Sequence, residues 1–367
     1  MPAPDRVCSR CGARYDGGVI FCPADGTPLG ARALPVGEDP YLGLTLEADL
    51  RLERLVGIGA MGRVYRARLG GRDVAVKILH RELLKSPNVV ARFEREARIA
   101  GQLAHPGVVQ VLGTGRVPEL SADVGGEGYL VLEYLDGISL RSALAAAEGA
   151  LPLPRALHVL LQICDAVGEA HARGIVHRDI KPENVMLVQR GEDPDFVKVL
   201  DFGVARIERA DASFATQAGS IFGTARYVSP EGAQGKTATP ESDVYSLSVL
   251  LFECLSGRTP FDGDSPVAIL IKHTNEPAPD VRSVPRASYV PEPIATIIAE
   301  NLSKSREGRA RDARELGRRL ADAARRSGVL GATGRALALA SIERTKQLPL
   351  GADSPPSSDS AKPGGSG

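Results

Sequence analysis

Two short stretches constrain this chain more than anything else in it: His177-Arg178-Asp179-Ile180-Lys181-Pro182-Glu183-Asn184 and, soon after, Asp201-Phe202-Gly203. They cluster carboxylates, an asparagine and a lysine in loops between short strands, so the fold must bring those loops to one place. Residues of this kind suit metal and phosphate chemistry, because Mg²⁺ prefers oxygen ligands and borrows some of them from phosphates. Asp201 and Asn184 fit as the protein's ligands to such a cation. Asp179 fits as the acceptor of a proton from an attacking hydroxyl, and Lys181 as a charge that steadies a transferring phosphoryl group. That reaction needs mainly positioning and charge neutralisation, which this set supplies.

Upstream, Gly57-Ile58-Gly59-Ala60-Met61-Gly62-Arg63-Val64 spaces its glycines so that backbone can approach phosphate closely. A dinucleotide fold would follow the glycines with a helix. Here Val64–Leu69 continues as a strand, and Gly70-Gly71 turns it into a second strand, Val74–Leu79. A Walker A loop would need Gly-Lys-Ser/Thr, which is missing. Val74-Ala75-Val76-Lys77 then carries a lysine that, across the hairpin, aims at phosphate under the glycines. The charged helix expected over Val89–Leu103 offers two acids, Glu94 and Glu96, either of which could hold Lys77; the spacing leaves the choice open.

The remaining pattern predicts a small β-rich lobe followed by a larger helical one. Leu50–Leu55 alternates as a strand, and Val108–Leu112 and Tyr129–Glu133 read as two more. Beyond Leu140, apolar residues recur at helical spacing through Leu157, Leu160, Leu161, Cys164 and Val167, and again over Asp243–Leu255. Lys+Arg 45 against Asp+Glu 45 leaves no net charge, so no global basic field points to nucleic acid or an anionic membrane. No leader-like apolar run opens the chain and none approaches the ~20 residues of a spanning helix, so a soluble, cytoplasmic protein is expected. Aromatic residues make up 4% of the chain and tryptophan is absent, so the core must be built from Leu, Val, Ile and Ala.

In this order and spacing, the motifs resemble those of bacterial eukaryotic-type (Hanks-type) serine/threonine protein kinases. The resemblance runs from Leu50 to Ala323 and implies an α+β, bilobal protein-kinase fold over 49–325. It implies that Gly57, Ile58, Gly59, Ala60, Met61, Gly62 and Val64 cover the phosphates of ATP and that Lys77 contacts them, with Ala75 beside it. Glu96 matches the family's helix glutamate better than Glu94. Asp179 is the implied catalytic base, Lys181 its companion in serine/threonine kinases, and Asn184 and Asp201 the implied ligands of Mg²⁺ (or Mn²⁺). Leu132 falls at the gatekeeper position, and Glu133 and Leu135 offer backbone groups to adenine. Thr224 matches the threonine that lines the substrate-hydroxyl site, and Asp243 the acid that braces the catalytic loop. His171 and His177 read as scaffold residues.

The implied activity is transfer of the γ-phosphoryl group of ATP to Ser/Thr of protein substrates in signalling. The segment 201–231 contains Ser213, Thr216 and Ser220, and autophosphorylation at Thr216 or Ser220 is expected, because Arg178 beside Asp179 favours recruiting a phosphate from that segment. Ser229 replaces the alanine of the family's Ala-Pro-Glu motif, and Ser248 a helix glycine; neither removes a catalytic group. The late Lys-Asp-Pro…Arg-Pro motif is only loosely matched by Lys304–Ala310, where Arg309 is the candidate partner of Glu231. The alternatives are a nucleotide-binding scaffold (pseudokinase) and a small-molecule kinase; Lys181 and Glu231 argue against the latter.

Residues 1–30 form a separate head. Cys8-Ser9-Arg10-Cys11-Gly12 reads as half of a zinc ribbon, and Cys22-Pro23-Ala24-Asp25 as an altered second half. With Cys8, Cys11, Cys22 and Asp25 as ligands, structural Zn²⁺ would give so short a segment folding energy that it cannot draw from a core. The competing reading is a loose tail of free thiols. Short modules resembling zinc ribbons usually contact proteins, so a protein partner is expected for the head. Cys164 and Cys254 read as core thiols. A linker is expected over 31–48, a helical extension or partner-binding segment over 326–350, and a disordered tail over 351–367.

Overall fold

The computed structural model describes residues 39–59, 62–81, 97, 101–119, 125–202 and 225–329, together with the backbone of two short strands, β1 (Arg6–Val7) and β2 (Arg14–Tyr15). Expectations for Cys8, Cys11, Cys22, Asp25, Ala60, Met61, Glu94, Glu96, Ser213, Thr216, Ser220, Thr224 and the C-terminal segments lie outside those residues. β1 and β2 pair antiparallel, Arg6 opposite Tyr15.

The small lobe is a six-stranded antiparallel sheet built from β3 (Thr45–Leu46), β4 (Leu50–Ile58), β5 (Gly62–Leu69), β6 (Arg72–Leu79), β7 (Val111–Arg116) and β8 (Gly128–Glu133), in the order β3-β4-β5-β6-β8-β7. Alternation puts Leu50, Leu52, Tyr65, Ala67, Val74, Val76, Ile78, Tyr129 and Val131 into one core. The end of the expected linker is part of this lobe: β3 pairs with β4, and Tyr41 and Leu46 are buried in the same core. The strand expected over Val108–Leu112 begins later, at Val111. The backbone of 107–109 is already committed to the other lobe: Val109 N–H donates to the Val199 carbonyl at 3.0 Å, and Val199 N–H to that of Gly107 at 2.8 Å.

Two glycine-loop positions differ in what they require. A Cβ on Gly62 would sit 2.1 Å from the Ile78 carbonyl oxygen, so β5 can approach β6 there only without a side chain. A Cβ on Gly59 would meet the Gly62 carbonyl oxygen only at 3.8 Å, an ordinary contact, and the Gly59 N–H donates to that carbonyl at 2.8 Å.

The large lobe contains β9 (Gly137–Ser139), α1 (Leu140–Ala146), α2 (Leu153–Ala172), β10 (Val185–Arg190), β11 (Asp193–Val199), α3 (Pro230–Ala233), α4 (Pro240–Ser256), α5 (Pro266–Asn275), α6 (Glu292–Asn301) and α7 (Ala313–Arg326). β10 lies between β9 and β11 in a small antiparallel sheet. Every residue of α4 from Ser242 to Ser256 is buried, so it is the lobe's central post rather than an amphipathic surface helix. Pro240 starts it, and Gly257, at φ 81°, ends it in the left-handed region. Cys164 and Cys254 are buried in this core, as expected. No described helix is long and apolar enough to cross a membrane.

Candidate active site

The loop between α2 and β10 and the turn after β11 meet because β10 and β11 form a hairpin whose open end is tied by Leu200 N–H donating to the Asn184 carbonyl at 2.9 Å. That places Asp179, Lys181, Asn184 and Asp201 at one mouth between the lobes. Lys181 Nζ lies 2.7 Å from Asp179 Oδ2. The Asn184 amide nitrogen donates to the Asp179 carbonyl at 2.8 Å and to its Oδ2 at 2.9 Å. With the side-chain amide nitrogen turned to Asp179, Asn184 Oδ1 is the atom left for a cation, and it joins Asp201 as a hard oxygen donor suited to Mg²⁺. Among the described residues no group of three or more His, Cys, Asp or Glu is arranged to hold a metal ion, and a cation on Asn184 and Asp201 would take its further ligands from phosphate and water.

Lys77 reaches this mouth from β6. It is buried, and its ammonium contacts both oxygens of Asp201, at 2.7 and 2.8 Å. Burial pushes the Asp201 carboxyl up, but Lys77 more than offsets this and holds it below the usual carboxylate range. The residue stays ionised and ready for a cation. Asp201 also has φ 55°, a left-handed conformation rare for a side-chain-bearing residue, and Arg178 has φ 72°. Such backbone persists only when its surroundings over-determine it.

Those surroundings are visible. Asp243, on the first turn of α4, accepts from His177 N–H at 2.7 Å, Arg178 N–H at 2.9 Å and His171 Nε2 at 2.9 Å. His177 donates through Nε2 to the Leu200 carbonyl at 2.9 Å, and its ring packs against Phe202 at 4.6 Å. The expected brace (Asp243) and the two scaffold histidines are therefore where the sequence put them.

Above this mouth lies a cavity of about 270 Å³ between the lobes. Gly57, Val64, Ala75, Lys77, Leu132, Glu133, Leu135 and Asp201 line it, all expected from the sequence. Ile58 continues β4 beside them. Sequence reasoning missed Val56, Met186 and Leu200, which close its apolar walls. Met186 follows the catalytic loop by two residues, a spacing that alternation along β10 could have flagged. Lys198 ties the lobes behind the cavity, its ammonium 2.5 Å from Glu133 Oε1. The glycine loop is held from below by His80, whose Nε2 donates to the Gly59 carbonyl at 2.8 Å. The Glu231–Arg309 pair forms as expected: both are buried, with nitrogen–oxygen distances of 2.9 and 3.1 Å. An apolar slot for a flat ring, a glycine loop and lysine for phosphates, and paired carboxylates at the mouth make an arrangement able to bind a nucleoside triphosphate and pass its terminal phosphoryl group to a hydroxyl.

Comparison with known proteins agrees. The chain is 39% identical over 272 residues to serine/threonine-protein kinase pkn3 of Myxococcus xanthus, covering 73% of this chain and 48% of that one. It is 39% identical over 268 residues to PknB of Mycolicibacterium smegmatis, covering 72% and 41%. With PknA of Mycobacterium tuberculosis it shares 43% over 246 residues, covering 65% and 54%. The chain thus spans about half the length, or less, of these curated relatives. The crystal structure of the M. tuberculosis PknI kinase domain superposes with a TM-score of 0.60 at 22% identity, covering 77% of this chain and 98% of that domain, a likeness of fold. The family model described as the protein kinase domain matches residues 50–316. With its two lobes, interlobe cavity and catalytic mouth, the chain belongs to the protein kinase family.

Proposed function

We propose that this protein transfers the γ-phosphoryl group of ATP to serine and threonine hydroxyls of proteins. The observation that carries this is the convergence of Lys77, Asp179, Lys181, Asn184 and Asp201 at the mouth of one interlobe cavity. Bound Mg-ATP supplies the electrophilic phosphorus and a metal that neutralises the charge on its oxygens. Asn184 and Asp201 would hold that metal. Lys77 exchanges Asp201 for the nucleotide's phosphates, and the glycine loop over Gly57–Val64 closes on them through backbone N–H groups. Asp179 accepts the proton of the incoming hydroxyl as its oxygen bonds to phosphorus and the bridging oxygen leaves with ADP. Lys181, already on Asp179, neutralises the charge that develops on the transferring group. Leu132, Glu133 and Leu135 set the adenine edge of the slot, and Glu96 is the acid that positions Lys77 in the active form.

Lys181 and the Glu231-anchored segment support a protein rather than a small-molecule acceptor, and Thr216 or Ser220, within 201–231, is the site of activating autophosphorylation. Cytoplasmic signalling is the setting this reading implies. Residues 1–30 bind structural Zn²⁺ through Cys8, Cys11, Cys22 and Asp25 and dock a protein partner; the pairing of β1 with β2, the strands that precede and follow Cys8 and Cys11 in sequence, is compatible with this.

Incubation of the full chain with Mg-ATP labelled at the γ-phosphate and casein tests the main claim. Label on serine and threonine, lost in Lys77→Ala, supports it; ATP binding without transfer supports the scaffold alternative instead. Metal analysis of the same protein tests the head: bound zinc, reduced in Cys8→Ser, is the expected result, and its absence overturns that assignment.

A further inference from the structure

Residues 39–46 precede the stretch 50–316 that matches the protein kinase domain, yet they grip both strands that carry the glycine motif. Asp39-Pro40 opens the segment as a turn: Leu42 N–H donates to the Asp39 carbonyl at 3.2 Å, and Tyr41 N–H to Asp39 Oδ1 at 3.0 Å. Gly43, at φ 81°, then lets the chain run back along β4. There Gly43 N–H donates to the Leu52 carbonyl and Leu52 N–H to that of Leu44, both at 2.9 Å, and Thr45 on β3 pairs opposite Arg51.

The hold on β5 is made by one carboxylate. Asp39, its side chain 5% exposed, accepts from the Tyr65 hydroxyl at 3.0 Å to each oxygen and from an Arg63 terminal nitrogen at 3.3 Å. Burial, and then the Asp39 charge, push the Tyr65 hydroxyl up, so it stays a donor. The Arg63 guanidinium also stands over the Tyr41 ring, 5.8 Å from its centre. Strand alternation gives this hold its direction. Arg63 and Tyr65 point to one face of β5, and Val64 between them to the other, where it lines the nucleotide cavity. Arg63 directly follows Gly62, the residue that brings β5 against the Ile78 carbonyl. None of Asp39, Tyr41, Arg63 and Tyr65 lines the cavity, so Asp39 acts on the nucleotide through β5. We infer that Asp39 is a positioning residue for the phosphates of the bound nucleotide: from the outer face of the sheet it fixes the start of β5, and with it the place where the glycine motif closes over them. An ion pair this deep adds little net stability, because desolvation offsets its attraction; what it supplies is a defined position. The inference rests on the nucleotide site described above.

The test is nucleotide binding to the full chain by titration calorimetry, with Mg-ADP and adenosine as the two probes. Adenosine fills only the apolar slot, whereas ADP adds phosphates for the glycine motif to cover. Asp39→Asn, which removes the charge and keeps the shape, is expected to weaken Mg-ADP about fivefold and adenosine less than about twofold. Tyr65→Phe guards against a folding artefact: it deletes one hydroxyl, leaves the Arg63 contact, and should weaken Mg-ADP about two- to threefold at an unchanged adenosine affinity. Arg63→Gln on top of Asp39→Asn adds less than about twofold, as expected for groups that act as one unit. Equal losses for the two probes would mean a loosened lobe rather than a positioned motif and would overturn the proposal; so would an Asp39→Asn affinity for Mg-ADP equal to wild type. Wild-type protein that binds neither probe overturns the nucleotide site and this proposal with it. A wild type that binds both probes but labels no casein overturns the kinase reading alone, since the two affinities still decide this one.

Discussion

Lys77 and Asp201 lie far apart in sequence, and their contact at 2.7 Å closes the mouth of the cavity. Each is the other's counter-ion in this structure. His80 works at the same scale. Its bond to the Gly59 carbonyl fixes the loop that must fold over phosphate, and a single hydrogen bond of this kind contributes about 1 kcal/mol. His80→Ala should therefore raise the KM for ATP several-fold with little change in kcat, measured by varying ATP at saturating acceptor; an unchanged KM would show the loop needs no such tether. The chemistry-bearing residues were legible in the sequence because each sits in a motif whose spacing is its meaning. His80 and Met186 were not, since one acts through a backbone carbonyl and the other through shape, and both become visible only once strand pairing is known.

At the scale of elements, α4 organises the catalytic loop. Asp243 accepts two hydrogen bonds from a loop that holds Arg178 at φ 72° and a third from His171 at the end of α2. Asp243→Ala leaves the buried His177 N–H, the half-buried Arg178 N–H and a ring nitrogen without an acceptor, so a loss of about 3 kcal/mol in stability is expected, read by urea unfolding, with activity falling further than stability explains. The same helix anchors Glu231 through Ser242, whose Oγ donates to it at 2.6 Å. Burial pushes the Glu231 carboxyl up, but the Arg309 guanidinium and Ser242 hydroxyl pull it down to about 2. Because the folded value lies below the unfolded one, near 4.5, this contribution is fully present above about pH 4.5 and is lost as pH falls through 2. The shift corresponds to about 3 kcal/mol. Arg309→Ala strands a buried carboxylate and should cost about 3 kcal/mol or more at pH 7, with a smaller penalty in acid; a penalty independent of pH would contradict the pairing. Strand and helix identities followed from apolar periodicity. The misplaced start of β7 came from backbone pairing between lobes, which leaves no mark on side-chain pattern.

Across the whole molecule, the division into a sheet lobe and a helical lobe was legible because hydrophobic period switches from 2 to 3.6 near Leu140. What the pattern did not carry is how the lobes are joined: Val109 to Val199, Lys198 to Glu133 and Lys77 to Asp201 are pairings distant in sequence, made by groups that elsewhere would read as strand interior or solvated charge. The same joints make the cavity and the catalytic mouth one site, and that unity is the central claim. Its most direct test is to compare wild type with Asp179→Asn for both Mg-ATP affinity and phosphoryl transfer to casein. Nucleotide affinity within twofold and transfer reduced by about 10²–10⁴ is the expected result; transfer by Asp179→Asn at the wild-type rate would contradict it.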